Sequence, residues 1–269
     1  MHNRMILADC RDELPKIPSD SVDLVLTDPP YNTGLRASNT TRLTHFFDDA
    51  MPADEYRALA REVCRELFRV LKNDRAAYVF MNWKSLGVWL DALAAASFRL
   101  KNTIVWDKVI QGLNYQNYAY THEFLIFAVK GQFHPRNRGL EDDAWHDVWH
   151  IQRELRQAAA AVEHHETVKP EAVLRRPIEH ASQPGDLVLD PFAGTGTTCV
   201  IAKKLGRRFI GIERESRYHG VAVAQLARTR PDAAAARCGR TWRETPCEAA
   251  HRPRPRARRT SRRAWKARR

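Results

Sequence analysis

The segment DLVLDPFAGTGTTCVIAKKLG (residues 186–206) constrains the fold more than any other part of the chain. Its apolar run ends at Asp190, and a turn containing Gly194 and Gly196 separates this run from a helix-like stretch that ends at Gly206. A buried strand that enters a glycine-rich turn and then a helix is typical of α/β proteins in which the amino end of the helix faces a ligand. The glycines let the backbone approach that ligand closely.

A carboxylate further along the chain supports a binding role for this turn. The next apolar run, RRFIGIE, ends in Glu213, and an acid at that position can hold both ribose hydroxyls of a nucleoside. A phosphate-binding P-loop is disfavoured because no Gly-Lys-Ser/Thr follows the glycines. A nucleoside-bearing cofactor is therefore indicated, and the alternative is a tight strand-to-helix turn without a ligand.

The sequence DPPY (residues 28–31) marks another turn, at the end of the apolar run SVDLVLT. Two consecutive prolines remove two amide donors and stiffen the backbone, so the carbonyls of Asp28 and Pro29 can point outward into a cleft. Such a turn suits a ligand that carries an amino group. The alternative is a rigid strand exit with a capping aspartate.

Apolar runs and helical periodicities alternate along the chain. We expect buried parallel strands in MILADC and SVDLVLT, and further strands in AAYVFMN, TIVWDK, THEFLIFAVKG, DLVLD and RRFIGIE. Helices are expected at 54–71, at 84–96, from Pro170 as the first helical residue and kinked at Pro177, and at 197–206. This order predicts an α/β, Rossmann-like fold, with a mostly parallel central sheet and helices on both faces.

The pattern divides the chain into one folded domain, residues 1–230, and a tail, residues 231–269. Long loops are expected at 32–52 and 111–120, and periodicity is weak from 131 to 165 apart from a helical run near 153–161. The tail is rich in Arg, Ala and Pro and should be disordered.

The basic charge belongs mainly to this tail. Residues 231–269 contain 13 Lys/Arg against 3 Asp/Glu, a net charge of +10 out of +12 for the whole chain, which leaves +2 for residues 1–230. An argument for nucleic-acid binding by the folded domain must therefore come from its motifs.

Composition excludes several classes of protein. The chain has no run of 18 apolar residues and no signal segment at its start, so we expect a soluble, cytoplasmic protein without a membrane partner. Its five cysteines are scattered and form no C-x-x-C pair, which indicates reduced thiols. No metal site is expected, although histidines stand at positions 146, 150, 164 and 165.

The two turns together resemble a known family. DPPY followed much later by DPFAGTGTT, with LADC before the first and HETVKP before the second, resembles the amino-methylating DNA methyltransferases of the permuted beta class. The resemblance extends from about Met5 to Arg230 and includes YTHEFLIFAVKG. It implies S-adenosyl-L-methionine as cofactor and double-stranded DNA as substrate, in a bacterial or phage-type protein. It leaves open a homodimer and a cognate restriction endonuclease.

The resemblance also implies roles for single residues. In the catalytic turn Asp28, Pro29, Pro30 and Tyr31, the Asp28 side chain and the Pro29 carbonyl would accept hydrogen bonds from the exocyclic amine, and Tyr31 would stack on the flipped base. Residues from about 107 to 164 would form a target-recognition insertion. The cofactor would be bound by Asp9, Cys10, Asp28, His165, Thr167, Lys169, Asp190, Pro191, Phe192, Ala193, Gly194, Thr195, Gly196, Thr197, Thr198 and Glu213. Among these, Asp9 and Cys10 would line the adenine pocket, Glu213 would hold the ribose, and His165, Thr167 and Lys169 would lie beside the amino acid moiety.

The chemistry agrees with those roles. An exocyclic amine is a poor nucleophile because its lone pair is delocalised into the ring, and two acceptors on its hydrogens free that lone pair for in-line attack on a sulfonium methyl. No covalent intermediate is needed, so no cysteine has to be a nucleophile. The base must first leave the helix, at a cost of a few kcal/mol. Stacking on Tyr31 would return roughly 1 to 3 kcal/mol.

The remaining conspicuous side chains are assigned structural roles. Trp83, Trp89 and Trp106 should pack in the core or on helix faces, and Asp48 and Asp49 should be solvated loop acids. The loop at 111–120 could read base edges or be a plain surface loop.

Four functions stay open from sequence alone. Adenine N6 is favoured over cytosine N4 because family members acting on cytosine more often carry Ser where Asp28 stands. Methylation of RNA or of a protein amide is disfavoured, because relatives of that kind carry Asn there and place the cofactor loop earlier. The fourth is a non-catalytic DNA-binding module that uses the arginine tail, which could also be an inert extension.

Overall fold

The structure is a computed structural model that describes residues 3–34, 50–109, 118–136, 145–152 and 169–232. Within these ranges eight strands form one sheet. The strands are β1 (Arg4–Leu7), β2 (Val22–Thr27), β3 (Leu71–Met81), β4 (Arg99–Asp107), β5 (His122–Lys130), β6 (Val148–His150), β7 (Leu187–Asp190) and β8 (Arg208–Glu213). The helices are α1 (Cys10–Glu13) with a 3-10 turn at Leu14–Lys16, α2 (Ala53–Val70), α3 (Leu86–Ala95), α4 (Glu171–Ala181), α5 (Thr197–Lys204) and α6 (Ser216–Arg228).

The sheet has the order β1-β8-β7-β2-β3-β5-β4-β6. The first five strands in this order are parallel to one another, and β6 is parallel to β4. β5 is antiparallel to both β3 and β4, because the chain passes through α3 to β4 and then returns into the gap beside β3. The predicted α/β fold with a mostly parallel sheet is confirmed, and the reversed direction of β5 is an addition to it.

Helices cover both faces of the sheet, as predicted. The helices α1, α2 and α3 lie on one face, where Trp89 is fully buried. The helices α4, α5 and α6 lie on the other, where Ile178 and Ile201 are buried. β2 contributes Val25 to the first core and Leu24 to the second, and all of its residues are buried, as in a central parallel strand.

β7 and β2 are neighbours at the point where the strand order reverses. α5 follows β7 on one face of the sheet, and α2, the next helix after β2, lies on the opposite face. Because the chain leaves these two strands toward opposite faces, their carboxyl ends form a topological switch point, where open α/β sheets generally bind ligands in a crevice.

Several details differ from the sequence-based expectations, among them α6, a helix that was not expected. β1 is an edge strand and is not buried, since Leu7 is 49% exposed. Pro170 is the N-cap of α4 and precedes its first helical residue. Trp83 is 56% exposed and stacks against Tyr120, so it does not pack in the core. β6 lies where no strand was expected. It has only three residues, of which Trp149 alone is buried, so its sequence is too short to show the alternation typical of a strand.

The remaining expectations fall partly inside and partly outside the described residues. Trp89 and Trp106 are buried, and Pro177 lies inside α4. No helix in the described ranges is long and apolar enough to cross a bilayer. The described cysteines, Cys10, Cys64 and Cys199, are free thiols. Outside the described residues lie Asp48, Asp49, the core of the 111–120 loop, the helical run at 153–161, and the tail from residue 233.

Candidate active site

The turns that follow β2 and β7 lie side by side. DPPY begins at Asp28, immediately after β2, and the glycine turn begins at Pro191, immediately after β7. The Thr27 hydroxyl donates a 2.8 Å hydrogen bond to Oδ1 of Asp190 and so joins the last residues of the two strands. The two turns, 163 residues apart at this bond, therefore open onto the same crevice.

The glycine turn is fixed by Asp190, which is buried at the end of β7. Its Oδ1 also accepts a 3.1 Å hydrogen bond from the backbone N–H of Phe192. Burial raises the pKa of Asp190 to about 6, although the hydrogen bonds from Thr27 and Thr198 oppose the rise. The buried carboxylate thus holds both ends of the turn.

Two glycines of the turn have left-handed backbone conformations. Gly196 has φ +80 and is the N-cap of α5, and a Cβ there would come within 2.7 Å of the Ala222 Cβ on α6. Gly194 has φ +54, and a Cβ there would meet no atom within 4 Å. The backbone at Gly194 therefore faces open space, which a bound molecule can fill.

Glu213 joins this turn to the end of β8. Its Oε2 accepts a 2.8 Å hydrogen bond from the N–H of Gly194, and its Oε1 accepts one of 2.8 Å from the N–H of Glu215. The backbone carbonyl of Glu213 accepts a bond from Ala8, so Asp9 at the end of β1 lies next to it. The ends of three adjacent strands thus bring the sequence-predicted cofactor residues together.

Asp9 and Cys10 form the edge of this group. Asp9 caps α1 by accepting a 2.9 Å hydrogen bond from the N–H of Arg11, and it forms an ion pair with the Arg11 side chain. These contacts lower the pKa of Asp9. Cys10 is buried, and burial raises the pKa of its thiol to about 12. It is a neutral packing residue at neutral pH.

The DPPY turn is held through two of its carbonyls. The Tyr56 hydroxyl donates a 2.8 Å hydrogen bond to the Pro30 carbonyl, and the Ser85 hydroxyl donates to the Tyr31 carbonyl. Among the described residues, no group donates a hydrogen bond to the Pro29 carbonyl. Pro29 is a buried residue, and its carbonyl lies next to Asp28 in the turn without a donor from the described residues.

Asp28 belongs to a network of charged side chains. Lys169 donates a 2.5 Å hydrogen bond to Oδ2 of Asp28 and forms an ion pair of 3.2 Å with Glu123. The Tyr31 hydroxyl lies 2.5 Å from Oδ1 of Asp28 and 3.1 Å from Oε2 of Glu123. Lys108 closes the network through a 2.6 Å ion pair with Oε1 of Glu123.

Burial and charge set the protonation of this network. The side chain of Lys169 is only 7% exposed, and that of Glu123 is 15% exposed. Burial alone would raise the pKa of Glu123, but Lys169 and Lys108 lower it to about 2. Burial raises the pKa of Asp28, and Lys169 opposes the rise while Glu123 adds to it. Glu123 is therefore the most firmly ionised acid of the group.

The structure brings most of the sequence-predicted site residues to one crevice. Asp9, Cys10, Glu213 and the 190–198 turn lie at its β1-β8-β7 side, and the DPPY turn lies at its β2 side. Lys169 contacts Asp28 and Tyr31, which is closer to the DPPY turn than the sequence suggested. His165 and Thr167 are outside the described residues.

Sequence reasoning missed Glu123, Tyr56 and Ser85. Glu123 stands near the start of an apolar run in THEFLIFAVKG, and an acid entering a buried strand is a usable signal for a functional or paired carboxylate. Tyr56 and Ser85 gave no such signal, because a helix tyrosine and a loop serine are common. No group of three or more metal-ligating side chains lies within the described part of the chain.

Comparisons with known proteins agree with this arrangement. The family model described as DNA methylase matches residues 22–224. The Type II methyltransferase M.HinfI of Haemophilus influenzae is 30% identical over 256 residues, covering 86% of this chain and 70% of that protein. The DNA adenine methyltransferase YhdJ of Escherichia coli K12 is 31% identical over 252 residues, covering 82% of each.

A solved structure supports the same assignment. TTHA0409, a putative DNA modification methylase from Thermus thermophilus crystallised with S-adenosyl-L-methionine, matches with a TM-score of 0.64 and 25% identity. The match covers 85% of this chain and 95% of that one. The DPPY turn and the glycine turn both lie within residues 22–224, the part of the chain that the family model matches. The chain belongs to the S-adenosyl-L-methionine-dependent DNA methyltransferases that act on adenine N6 or cytosine N4.

Proposed function

We propose that the chain methylates N6 of adenine in double-stranded DNA, on a base turned out of the helix. The observation that supports this most is the pair of acceptors at the crevice. The Asp28 carboxylate, 30% exposed, and the Pro29 carbonyl, to which no described residue donates a hydrogen bond, lie next to the glycine turn across one strand boundary. Two acceptors at this position match the two hydrogens of an exocyclic amine.

The residues around the glycine turn fit the cofactor. Open space at Gly194 leaves room against the backbone, and the carboxylate of Glu213 lies at the end of the adjacent strand, where ribose hydroxyls are commonly held. Asp9 and Cys10 extend this surface to β1. S-adenosyl-L-methionine, when bound, supplies an electrophilic methyl group.

The DPPY turn prepares the amine. Asp28 and the Pro29 carbonyl accept its two N–H groups, which favours the pyramidal nitrogen and frees its lone pair. The Tyr56 and Ser85 bonds keep the turn rigid, so the acceptors are placed before the base arrives. Negative charge on Asp28 also stabilises the positive charge that develops on nitrogen. Tyr31 supplies a ring on which the base can stack.

Adenine is proposed over cytosine because of the acid at position 28. Cytosine-N4 members of the family more often carry Ser at this position, whereas this chain carries a carboxylate, which is a stronger acceptor. YhdJ, named a DNA adenine methyltransferase, lies among the relatives at 31% identity.

The test is methylation of DNA from a strain that lacks its own methylation, with cofactor labelled in the methyl group. We expect N6-methyladenine as the labelled nucleoside on chromatography, and N4-methylcytosine as the only product would overturn the proposal. Asp28→Asn should reduce single-turnover methylation by roughly 100-fold or more, which is far more than it reduces cofactor affinity, measured by calorimetry. Asp91→Asn, on the exposed face of α3, is the matched control and should be neutral.

Base flipping can be tested separately, by the fluorescence of 2-aminopurine at the target position. Once sequencing of the methylated DNA has located the target, 2-aminopurine replaces the target base in an oligonucleotide duplex. We expect its fluorescence to rise on binding, because the base leaves the stack. Unchanged fluorescence in a complex that methylates the matching adenine duplex would contradict flipping.

A further inference from the structure

The hydroxyl of Tyr31 lies between two carboxylates but has one proton to donate. It is 2.5 Å from Oδ1 of Asp28 and 3.1 Å from Oε2 of Glu123. A hydroxyl donates one hydrogen bond at a time, and Lys169, 3.2 Å away, is a donor that takes a lone pair of the same oxygen. In the structure the shorter contact indicates that the hydroxyl donates its hydrogen bond to Asp28. Glu123 is a second acceptor within hydrogen-bonding distance.

Binding of the target amine changes which carboxylate is free to accept the Tyr31 hydroxyl. In the proposed function Asp28 accepts an N–H of the base. Its Oδ2 is already bonded to Lys169, so this N–H goes to Oδ1, the oxygen that the Tyr31 hydroxyl uses. The Tyr31 hydroxyl then competes with the substrate for the same carboxylate. If the hydroxyl had no other acceptor, its displacement would leave a buried donor unsatisfied, which is costly.

We propose that Glu123 is a positioning residue that accepts the Tyr31 hydroxyl when the target amine takes its place on Asp28. The inference rests on the proposed function and adds one residue to it. The change requires rotation of the O–H bond alone, because Oε2 of Glu123 is already within hydrogen-bonding distance of the hydroxyl oxygen. The ring of Tyr31 can therefore keep its place while the base binds.

The surroundings of Glu123 suit this role. Lys108, at the carboxyl end of β4, binds Oε1 at 2.6 Å, and Lys169 lies 3.2 Å from Oε2. Two lysines on a buried carboxylate keep it ionised, so Glu123 accepts hydrogen bonds and has no proton with which to compete. The strand start and the Lys108 bond also fix the direction of its oxygens. In this proposal Glu123 contacts neither the methyl donor nor the target amine. It acts on them through Tyr31 and Lys169.

The experiment is a double-mutant cycle in single-turnover methylation with the full chain. Glu123→Met removes the second acceptor and should slow methylation roughly tenfold. In Tyr31→Phe, which has no hydroxyl to displace, the same change should cost less than about threefold. Glu123→Gln keeps an acceptor oxygen and should lie between wild type and Glu123→Met. Glu55→Met, on the exposed start of α2, is the matched control.

A pH profile separates this role from a structural one. The groups that face Asp28 are Lys169, Tyr31, Glu123 and, across the strand boundary, Asp190. The negative charge of Glu123 adds to the effect of burial in raising the pKa of Asp28. Glu123→Gln should therefore move the acidic limb of the rate profile to lower pH, while Glu55→Gln should leave it in place.

The outcomes are distinct. Wild-type methylation of DNA, measured first, tests the proposed function alone. With an active wild type, additive losses for Glu123→Met and Tyr31→Phe would overturn the assignment of Glu123, as would an acidic limb that does not move in Glu123→Gln. Cofactor affinity and the thermal midpoint are measured for each variant and for Glu55→Met. These measurements test whether a lower methylation rate comes from unfolding.

Discussion

Lys169 pairs with Asp28, the carboxylate that we propose as an acceptor of the target amine. Its Nζ lies 2.5 Å from Asp28, and its side chain is almost fully buried. Because the lysine charge opposes the rise in the Asp28 pKa that burial causes, it keeps Asp28 ionised at a pH at which a buried acid would otherwise take up a proton.

Lys169→Met should therefore move the acidic limb of the methylation rate to higher pH. At neutral pH we expect a loss of at least roughly tenfold, which recovers in part as the pH is raised and Asp28 ionises. Rate profiles of wild type, Lys169→Met and the exposed control Lys84→Met give the comparison. A limb that moves to lower pH would show that Lys169 does not stabilise the Asp28 carboxylate.

The raised pKa of Asp190 predicts that the stability of the folded protein depends on pH. Its pKa in the folded protein is about 6, against an ordinary value of 3.8, so the folded state binds the proton more tightly than the unfolded state does. Stability contributed by this group is present at low pH and is lost as the pH rises from about 4 to about 6. The loss is on the order of 3 kcal/mol.

Asp190→Asn removes this titration and keeps an acceptor for Thr27 and Phe192. The free energy of unfolding of wild type minus that of the variant, from urea titrations without cofactor, should therefore fall between pH 4 and pH 7. A difference that is constant across this range would mean that Asp190 does not titrate there.

At the scale of elements, the start of α5 depends on Gly196. Both its φ of +80 and the 2.7 Å approach of a Cβ to Ala222 oppose a side chain at this position. Gly196→Ala should therefore shift the amino end of α5 and lower both stability and cofactor affinity. Gly185 also has a positive φ, +90, but a Cβ there would meet no atom within 4 Å. Gly185→Ala therefore measures the cost of the backbone conformation without a steric clash.

Gly185→Ala should cost about 1 kcal/mol, and Gly196→Ala should cost more because it adds the clash. Thermal melts measure the difference, and calorimetry should show weaker cofactor binding in Gly196→Ala alone. Equal losses of stability with unchanged affinity in both variants would contradict a role of the α5 terminus in binding.

The elements differ in how far the sequence determines them. β2 and β7 were predictable because apolar residues fill them and a turn follows each. β1 was expected to be buried because its letters, MILADC, do not reveal that it lies at the edge of the sheet. β5 is as apolar as its neighbours, but its direction depends on which gap the returning chain enters.

The same limit applies to the site. The DPPY and glycine turns are continuous segments, so their residues could be named from the sequence. Glu123 and Lys169 reach Tyr31 and Asp28 from positions 92 and 141 residues away in the chain. Their contacts depend on the order of strands, which a single sequence does not contain.

At the scale of the whole molecule, Asp232 marks the end of the described domain. Its N–H donates to the Lys204 carbonyl and its side chain pairs with Arg175 at 2.9 Å. A truncation that tests the basic tail should therefore end after Asp232 and not at Arg230, as the sequence pattern suggested. Residues 233–269 carry 13 Lys/Arg against 2 Asp/Glu, a net charge of +11.

A chain that ends at Asp232 should keep its cofactor affinity and its single-turnover rate at low salt. Its DNA affinity should depend less steeply on salt concentration, because fewer phosphates are neutralised. Binding isotherms at several salt concentrations measure the slope for both chains. Loss of all DNA association would instead favour the tail as the main DNA contact.

The Thr27–Asp190 bond lies on the boundary between the half of the sheet to which we assign the cofactor, β1-β8-β7, and the half to which we assign the base, starting at β2. The distance between the two reactants is thus set by the pairing of two adjacent strands and not by the length of polypeptide that joins them. A gene in which the later half was moved ahead of the earlier one would place the same groups face to face, so the order of synthesis can change while the reaction stays the same.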